Sequence, residues 1–373
     1  MSKIKIQGSA SGTGTLTIQA PTTSTDRTLS IPDSSGTILD NTSTLDATKL
    51  SGNLPAISGA SLTNVNAVNG GRKNILINGD YRISQRGDYT SATSVTNGAY
   101  LLDRAKNYLV GVTGTAQQLT NQVVNGTYEN TWKYVATSSA SGRIGSYQLV
   151  EDWYKGETLT LSAWVKSNNA NARIVVYDGA TNTSSSTHTG GGAWEKLTVT
   201  ATQSASAGQL YVYSAIISSS VGSVSISSSD YIETAMFQLE RGSTATNFER
   251  RHTGEELALC QRYFYHQVTN GSGEGYTYVL DGNHYPLLNV NFPVTMRAEP
   301  SYSSNITSSH RFRIDSVYDQ YGAWHEVNTV RTTNDASVIV LEQNTNHVTR
   351  DLGVCGWADS RAGTIIFYFD AEL

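Results

Sequence analysis

The stretch Met236–Tyr265 constrains the fold of this chain most, because two kinds of pattern meet within it. Up to Leu239 the residues alternate as in a β-strand. Glu240–Arg251 is polar and contains Gly242 and several Ser, Thr and Asn residues, as is typical of an extended crossing segment. A short helix is then predicted over residues 252–265. This stretch therefore separates a β-rich region before it from whatever follows.

The predicted helix has a start signal and a periodic apolar pattern. Thr253 lies three residues before Glu256, which is the spacing of a capping box. Apolar residues then recur at helical spacing: Leu257, Cys260 and Phe264. A helix that is apolar on most of its circumference must be buried, either inside one chain or against its own copies around a symmetry axis.

Composition favours an all-β protein with more than one domain. The chain has 373 residues, and single hydrophobic cores stop growing at about 250–300 residues. Its hydrophobic fraction of 38% lies below the roughly 45–50% of average globular domains. The 21 Tyr and six Trp favour strands, which bury half of their side chains.

Residues 74–251 are predicted to form an antiparallel β-sandwich. Within Thr158–Lys166, apolar and more polar residues alternate strictly, which is the pattern of a half-buried strand. Seven strands are predicted here: Trp132–Ala136, Thr158–Lys166, Arg173–Tyr177, Glu195–Ala201, Gln209–Ala215, Val224–Ile226 and Tyr231–Leu239. A second, smaller β-domain is predicted over residues 266–373, with the apolar Thr364–Phe369 as a central strand.

Residues 1–70 contain too little apolar surface for a core of their own. Short alternating segments are followed by turn-forming residues, and apolar–small–polar triplets such as Leu50–Gly52 and Ile57–Gly59 echo one another. Such repeats indicate a quasi-one-dimensional arrangement whose core comes from neighbouring units or identical chains. A disordered Ser/Thr-rich linker is the alternative.

Charge and motif content exclude several classes of function. The formal net charge is −5 and no Lys/Arg run occurs, so nucleic acid is not an expected partner. No segment has the roughly 18 apolar residues of a membrane span, and the first residues lack a signal-peptide pattern, so we expect synthesis in a cytoplasm without membrane insertion. Cys260 and Cys355 are expected to be reduced thiols. No metal site and no cofactor are predicted, because no ligand-spaced His/Cys set is present.

The segments at the two ends of the predicted sandwich resemble a known family. Asn74–Gly87 reads NILINGDYRISQRG, and Gln238–Arg251 reads QLERGSTATNFERR, followed by GEELALCQRYFY. These motifs resemble bacteriophage tail-fibre and receptor-binding proteins that contain a jelly-roll domain similar to carbohydrate-binding modules. Phe292–Pro300 and the segment FYFDAEL are similar to fibre tips.

The resemblance implies an elongated homotrimer with a defined order of parts. Residues 1–40 would attach the fibre to other tail or baseplate proteins, and residues 41–73 would form a shaft or neck. Residues 74–251 would form the jelly-roll domain, 252–265 an axial helix and 266–373 a β tip domain. On this interpretation the trimer interface includes Leu257, Cys260 and Phe264.

No enzyme motif is present that would assign a reaction. Gly-x-Ser-x-Gly elbows and His-Glu-x-x-His sequences are absent. Carboxylate pairs as used by glycosidases can be nominated, Asp315 with Asp319 or Glu342 with Asp359, but solvated loop carboxylates are the favoured interpretation. We therefore predict no catalytic residues.

A glycan-binding site needs aromatic faces and polar groups on loops. Two clusters near the predicted tip have this composition: Tyr318, Tyr321, Trp324 and His325, and then Trp357, Asp359 and Arg361. For each Trp, a core or inter-chain contact is the competing interpretation.

The expected function is adhesion of a phage, as part of the virion, to a host surface polysaccharide or lipopolysaccharide. A structural adaptor or spacer of the tail or baseplate is the alternative. A surface-polysaccharide depolymerase ranks third.

Overall fold

A computed structural model describes residues 72–269, 287–304, 312–315, 324–333, 336–343, 354–358 and 365–372, together with residues 11 and 13. The chain divides into two compact units, Met1–Asn66 and Ala67–Leu373. Nearly all of the predicted tail-attachment segment and of the predicted neck lies outside the described residues. In the part that is described, no helix has the length and apolar character needed to cross a membrane.

The first part of the larger unit is built from twelve strands. They are β1 (Thr93–Ser94), β2 (Lys106–Val110), β3 (Gly114–Val124), β4 (Thr127–Ala136), β5 (Ala140–Leu149), β6 (Thr158–Ser167), β7 (Ala172–Tyr177), β8 (Asn182–Ser184), β9 (Trp194–Thr202), β10 (Tyr211–Ile216), β11 (Val224–Ile226) and β12 (Tyr231–Arg241). Each of the seven predicted strands coincides with one of these.

The twelve strands form two antiparallel sheets packed face to face. Sheet I has the order β1-β3-β4-β12-β6-β9, and sheet II has the order β11-β5-β10-β7-β8 with β2 also paired to β5. Neighbours in each sheet are mostly distant in sequence, as in a sandwich with crossing connections. The predicted all-β, sandwich-like fold class is confirmed.

The apolar side chains that alternate along the strands form the core between the two sheets. On β6, the inward residues Leu159, Leu161, Ala163 and Val165 are at most 1% exposed, as their spacing predicts. Opposite them, Ile174 and Val212 of sheet II are fully buried. Burying a Leu side chain stabilises the fold by roughly 1.5–3 kcal/mol. The alternation of the strands thus leaves one outer face of each sheet free to carry other residues.

Residues of the Asn74–Gly87 motif are hydrogen-bonded to strand β12. The Asn74 side-chain amide donates to the Phe237 carbonyl at 3.1 Å and its Oδ1 accepts from the Leu239 N–H at 3.1 Å. A Cβ on Gly79 would lie 2.1 Å from the Phe237 carbonyl oxygen, so only glycine allows this approach. Arg251 donates to the Leu76 carbonyl at 2.9 Å. The two family-like motifs are therefore joined in space.

The predicted helix is present as α1 (Thr253–Gln261), but its capping differs from the prediction. The N-cap is His252, whose side chain accepts from the Gly254 N–H. Glu256 turns away from the helix start and accepts from the Asn78 N–H at 2.6 Å while pairing with Arg251. The predicted capping box is wrong because the Glu256 carboxylate binds the buried Arg251 side chain and the Asn78 N–H instead of the backbone at the start of the helix.

The strands after the helix form three small antiparallel sheets. They are β13 (Phe264–Thr269), β14 (Leu287–Asn291), β15 (Ser301–Ser304), β16 (Phe312–Asp315), β17 (Trp324–Thr332), β18 (Ala336–Gln343), β19 (Val354–Ala358) and β20 (Ile365–Asp370). Their orders are β13-β20-β15, β14-β18-β17 and β16-β19. Strand β20 is central in its sheet, as its apolar sequence predicts.

Arginine side chains of the sandwich join it to the segment around β20. Arg86 is only 11% exposed and pairs with Asp370 at 2.7 Å and with Glu372 at 3.3 Å. Arg104, 1% exposed, also pairs with Glu372 and lies 3.7 Å from the centre of the Tyr263 ring. Buried and paired charges of this kind hold their partners strongly, because an unpaired buried charge is unfavourable.

Candidate functional site

Five tyrosines lie on the outer face of sheet II, and we call them the tyrosine face: Tyr108 of β2, Tyr147 of β5, Tyr177 of β7, and Tyr211 and Tyr213 of β10. Alternation explains their placement. The intervening residues Val212 and Val176 point into the sandwich core, so their neighbours must point outward. Tyr213 is 9% exposed and the other four are partly exposed. Large aromatic side chains are thus presented on a sheet surface instead of being fully buried.

Strand pairing brings these rings together from distant parts of the sequence. Tyr213 is paired across the sheet with Tyr147 on one side and with Val175 on the other. Tyr211 is paired with Tyr177. Directly paired side chains in antiparallel sheets are close enough to contact each other. The face therefore spans four neighbouring strands, a width of about 14 Å at the usual strand spacing of about 4.8 Å.

The rings form a continuous contact network. Tyr177 and Tyr211 stack with centroids 5.8 Å apart and planes at 13°. Tyr147 and Tyr213 lie 5.3 Å apart, and Tyr108 meets Tyr147 edge to face at 5.7 Å. Such pairs stabilise by about 0.5–1.5 kcal/mol beyond their buried area, so the rings hold one another in place before any ligand arrives.

Small residues form the floor between two of the rings. Gly145 pairs with Tyr108 on one side and with Ala215 on the other. A Cβ on Gly145 would lie 2.6 Å from the Ala215 Cβ and 2.3 Å from the Ser214 carbonyl oxygen. Glycine is required there, and its lack of a side chain leaves the Tyr108 and Tyr213 rings 5.4 Å apart above a shallow floor.

Positive charges surround the tyrosine face. Arg143 donates to the Tyr108 hydroxyl, with its guanidinium 5.6 Å from the ring centre. The Lys106 ammonium lies 5.9 Å from the Tyr147 ring centre. Arg173 projects from the same side of β7 and pairs with Ala215. No Asp or Glu occupies an outward position on β2, β5, β7 or β10, so this part of the sheet is cationic.

The hydroxyls of Tyr147 and Tyr213 remain neutral hydrogen-bonding groups. Burial raises the pKa of Tyr213 well above its usual value, and burial together with the neighbouring rings raises the pKa of Tyr147. In the described chain the Tyr147, Tyr211 and Tyr213 hydroxyls make no hydrogen bond, whereas the Tyr177 hydroxyl donates to the Gly179 carbonyl at 2.9 Å. Three hydroxyls can therefore donate to, or accept from, a bound molecule.

The predicted glycan residues divide into those the structure places and those it does not. Tyr318, Tyr321, Asp359 and Arg361 lie outside the described residues. Trp324 and His325 begin β17, whereas Trp357 lies on β19, which belongs to a different small sheet. Strand pairing therefore does not join the two predicted clusters, and their role in glycan binding stays a prediction.

The predicted trimer-interface residues are covered by their own chain to different degrees. Cys260 is fully buried and Phe264 is 3% exposed. Phe264 lies on β13 instead of the helix, and the Arg86 guanidinium covers its ring at 3.8 Å. Leu257 is half-buried. The burial of Cys260 and Phe264 thus requires no second chain, and the contact of Leu257 with other protomers stays a prediction.

Sequence reasoning missed the tyrosine face. The signal was present as Tyr-Val-Tyr at 211–213 and as single outward tyrosines on three other strands.

Within the residues that are described, no three His, Cys, Asp or Glu side chains lie close enough together to hold a metal ion.

Several solved structures are similar to this chain at low sequence identity. The enzymatically active domain of tailspike protein 4 of bacteriophage CBA120 is similar at 12% identity and a TM-score of 0.32, covering 45% of this chain and 21% of that one. TmCBM61 in complex with β-1,4-galactotriose is similar at 15% identity and a TM-score of 0.27, covering 46% and 100%. The CBM22-1 xylan-binding domain from Paenibacillus barcinonensis Xyn10C is similar at 16% identity and a TM-score of 0.26, covering 44% and 94%.

This chain thus spans about a fifth of the tailspike structure that it matches. No family model and no curated protein matches the sequence. The neighbours comprise a phage tailspike and carbohydrate-binding modules, and the proposals below depend on the geometry of this chain.

Proposed function

We propose that this protein is a bacteriophage tail-fibre protein that attaches the virion to a host surface polysaccharide or lipopolysaccharide through the tyrosine face. The observation that carries the proposal is the presence of five mutually contacting tyrosines on one outer sheet surface, three of them with unengaged hydroxyls. The family-like motifs at both ends of the sandwich support the assignment to a fibre.

The face has the chemistry that a sugar chain needs. The C–H surfaces of pyranose rings pack against aromatic faces, and tyrosine adds a hydroxyl at the edge of each ring. Arg143 and Arg173 flank the rings and can donate to sugar hydroxyls or to acidic substituents. A width of about 14 Å across four strands accommodates several consecutive sugar residues. Tyrosine also loses little conformational freedom on binding, since it has two rotatable side-chain bonds.

The face favours binding over hydrolysis. Glycoside hydrolysis uses two carboxylates on opposite sides of the scissile bond. The outward positions of β2, β5, β7 and β10 carry none. We therefore propose adhesion without cleavage at this face, in contrast to the depolymerase alternative.

The remaining parts of the proposal concern assembly. Three copies would form an elongated fibre, with residues 1–40 attached to the tail or baseplate and 41–73 as the neck. Weak binding by each face would then be multiplied by the high effective concentration of several faces on one virion. A homotrimer would carry three faces, and several fibres would carry more.

The test is a binding measurement on immobilised bacterial polysaccharides and lipopolysaccharides with the purified full-length protein. We expect Tyr147→Ala and Tyr211→Ala each to weaken binding about fivefold or more, because each removes a stacking surface worth about 1 kcal/mol. Tyr128→Ala is the matched control, since Tyr128 is 74% exposed on sheet I. Binding that is equal in all three variants would overturn the role of the face.

Two other outcomes separate the alternatives. If the wild-type protein binds no glycan but captures another virion protein, the adaptor function replaces adhesion. If it releases reducing ends from a polysaccharide, the depolymerase function replaces it.

A further inference from the structure

A concave site lies on the opposite side of the sandwich from the tyrosine face, and we call it the sheet I cleft. Its volume is about 400 Å³. It is lined by the turn between β3 and β4, by outward residues of β6 and β9, and by the polar segment that follows β12. Ligand pockets typically enclose roughly 300–1,000 Å³. The cleft is therefore large enough for a single sugar residue, and it lies on the other sheet from the tyrosine face.

Aromatic and apolar side chains form part of the wall of the cleft. Trp164 points outward on β6 because its neighbours Ala163 and Val165 are buried in the core. Phe248 approaches from the crossing segment. Met236 enters at an irregularity of β12, where the register with β6 shifts and Met236 has a φ of 51°. A non-glycine residue in this left-handed region is uncommon, and here it redirects a side chain into the cleft.

Among the described residues that line the cleft, Glu129 is the one negative group, and it is already neutralised. The Glu129 side chain is 1% exposed. Its carboxylate accepts from the Thr127 hydroxyl at 2.6 Å and from Nη2 of Arg250. The hydrogen bond and charge of Glu129 in turn raise the pKa of Arg250. The pair therefore contributes no net charge, and its carboxylate is not available to a ligand.

Positive groups in the cleft remain available. Arg250 uses only Nη2 for Glu129 and is 46% exposed, which leaves its other N–H groups free of partners among the described residues. Lys196 is exposed and is paired across the strands with Trp164. No carboxylate of the described chain lies within 4 Å of its ammonium. The net charge of the lining residues is +1, from Glu129, Arg250 and Lys196.

The rim adds neutral polar groups. The side-chain amides of Asn125 and Asn247 line the cleft and make no hydrogen bond within the described part of the chain. Amides both donate and accept, which suits sugar hydroxyls. The cleft thus combines a Trp face, two amides and those N–H donors of Arg250 and Lys196 that have no partner among the described residues.

We propose that the sheet I cleft binds one carboxylated sugar residue, such as a uronic acid. The pyranose ring stacks on Trp164, and Arg250 and Lys196 receive its carboxylate. This site is separate from the tyrosine face and does not depend on it. A polymer that contains acidic sugars would therefore be held at both sides of the sandwich.

The ligand experiment compares pairs of methyl glycosides that differ only in the carboxylate: the methyl glucuronide with the methyl glucoside, and the methyl galacturonide with the methyl galactoside. Binding to the full-length protein is followed by saturation-transfer NMR and by titration at millimolar concentrations. We expect at least one acid to bind better than its neutral counterpart, and raised ionic strength to weaken that binding. Equal binding of acid and neutral sugar, or no binding of either acid, would overturn the proposal.

Matched variants locate the bound sugar. Lys196→Ala removes an exposed charge and should weaken binding of the acid about two- to fivefold without affecting folding. Trp164→Ala should weaken the acid and its neutral counterpart alike. The controls are Lys155→Ala and Trp153→Ala, a Lys–Trp pair outside the cleft whose ammonium lies 5.1 Å from the ring centre.

If the control variants weaken binding as much as the cleft variants do, the sugar is not bound in the sheet I cleft and the proposal is wrong. Tyr211→Ala separates the two proposals. It should reduce polysaccharide binding through the tyrosine face and leave binding of the single acidic sugar unchanged.

Discussion

Arg104 and Glu372 form an ion pair in which neither side chain is more than 5% exposed, and which joins the sandwich to the segment after β20. The Arg104 guanidinium also donates to the Leu149 carbonyl at 2.6 Å. Removal of one member of a buried pair leaves the other charged and desolvated. The pair therefore makes the terminal sheet and the sandwich mutually dependent.

Glu372→Ala should lower the free energy of unfolding by about 3–5 kcal/mol, measured by denaturant titration. The matched control is Glu157→Ala, which breaks the Arg241–Glu157 pair. Those side chains are 64% and 43% exposed, and exposed pairs contribute only about 0–1 kcal/mol. Equal losses of unfolding free energy in the two variants would show that the Arg104–Glu372 pair contributes no more to stability than an exposed ion pair does.

Asp103 should make stability fall as pH rises through mildly acidic values. Burial raises its pKa from 3.8 to about 6, against the opposing effects of the Gln85 hydrogen bonds and the Arg86 charge. Between these two values the folded state holds a proton that the unfolded state has released, so stability decreases with rising pH and levels off above about 6. The total decrease in the free energy of unfolding over this pH range is about 3 kcal/mol.

The comparison that isolates this effect is Asp103→Asn. Wild-type protein and variant are unfolded by denaturant at several values between pH 4 and pH 7. The wild type should lose stability relative to the variant as pH rises, whatever the offset between them. Parallel curves would contradict the raised pKa.

Gly145→Ala should destabilise the sandwich by about 1–3 kcal/mol, since the added Cβ would meet Ser214 and Ala215. Gly208→Ala is the control, because an added Cβ would meet no atom within 4 Å there and Gly208 does not have a positive φ. Thermal unfolding of both variants measures the difference. The same Gly145 substitution should weaken polysaccharide binding, because Tyr108 and Tyr213 rest on either side of this floor.

Glu256→Ala should be much more disruptive than Glu255→Ala, although the two residues are adjacent in the first turn of α1. Glu256 pairs with Arg251, and their side chains are 5% and 4% exposed. Glu255 pairs with Arg72 at side-chain exposures of 30% and 48%. We expect a loss of about 3 kcal/mol for the first variant and less than about 1 kcal/mol for the second, by denaturant titration. Equal losses would mean that Glu256 acts only as a first-turn acid.

The sequence predicted the features that depend on local pattern. Alternation in β6 identified both the strand and its buried face, and apolar spacing identified α1. Strand β5 was missed because its inward positions include Ser146 and Gln148 beside Ile144, so no apolar alternation is visible. Gln148 is buried because it bonds the Ile77 backbone in both directions, at 2.9 Å and 2.8 Å.

The candidate site could not be predicted because it depends on pairing between distant strands. Tyr108 and Tyr211 are about a hundred residues apart in the sequence, and only the order of sheet II brings them to one face. The capping of α1 was mispredicted for a similar reason, since Asn78 reaches Glu256 from 178 residues away. Local composition instead drew attention to aromatic clusters near the predicted tip.

The alternation of β10 has a consequence for how such a protein can be altered. Val212 and Ile216 fill the core, while Tyr211 and Tyr213 occupy the opposite surface of the same strand. The residues that keep the sandwich folded and those that meet the exterior are therefore interleaved but separate. Substitutions at Tyr211 and Tyr213 would therefore change the outer surface of β10 while the side chains of this strand that fill the core of the sandwich stay the same.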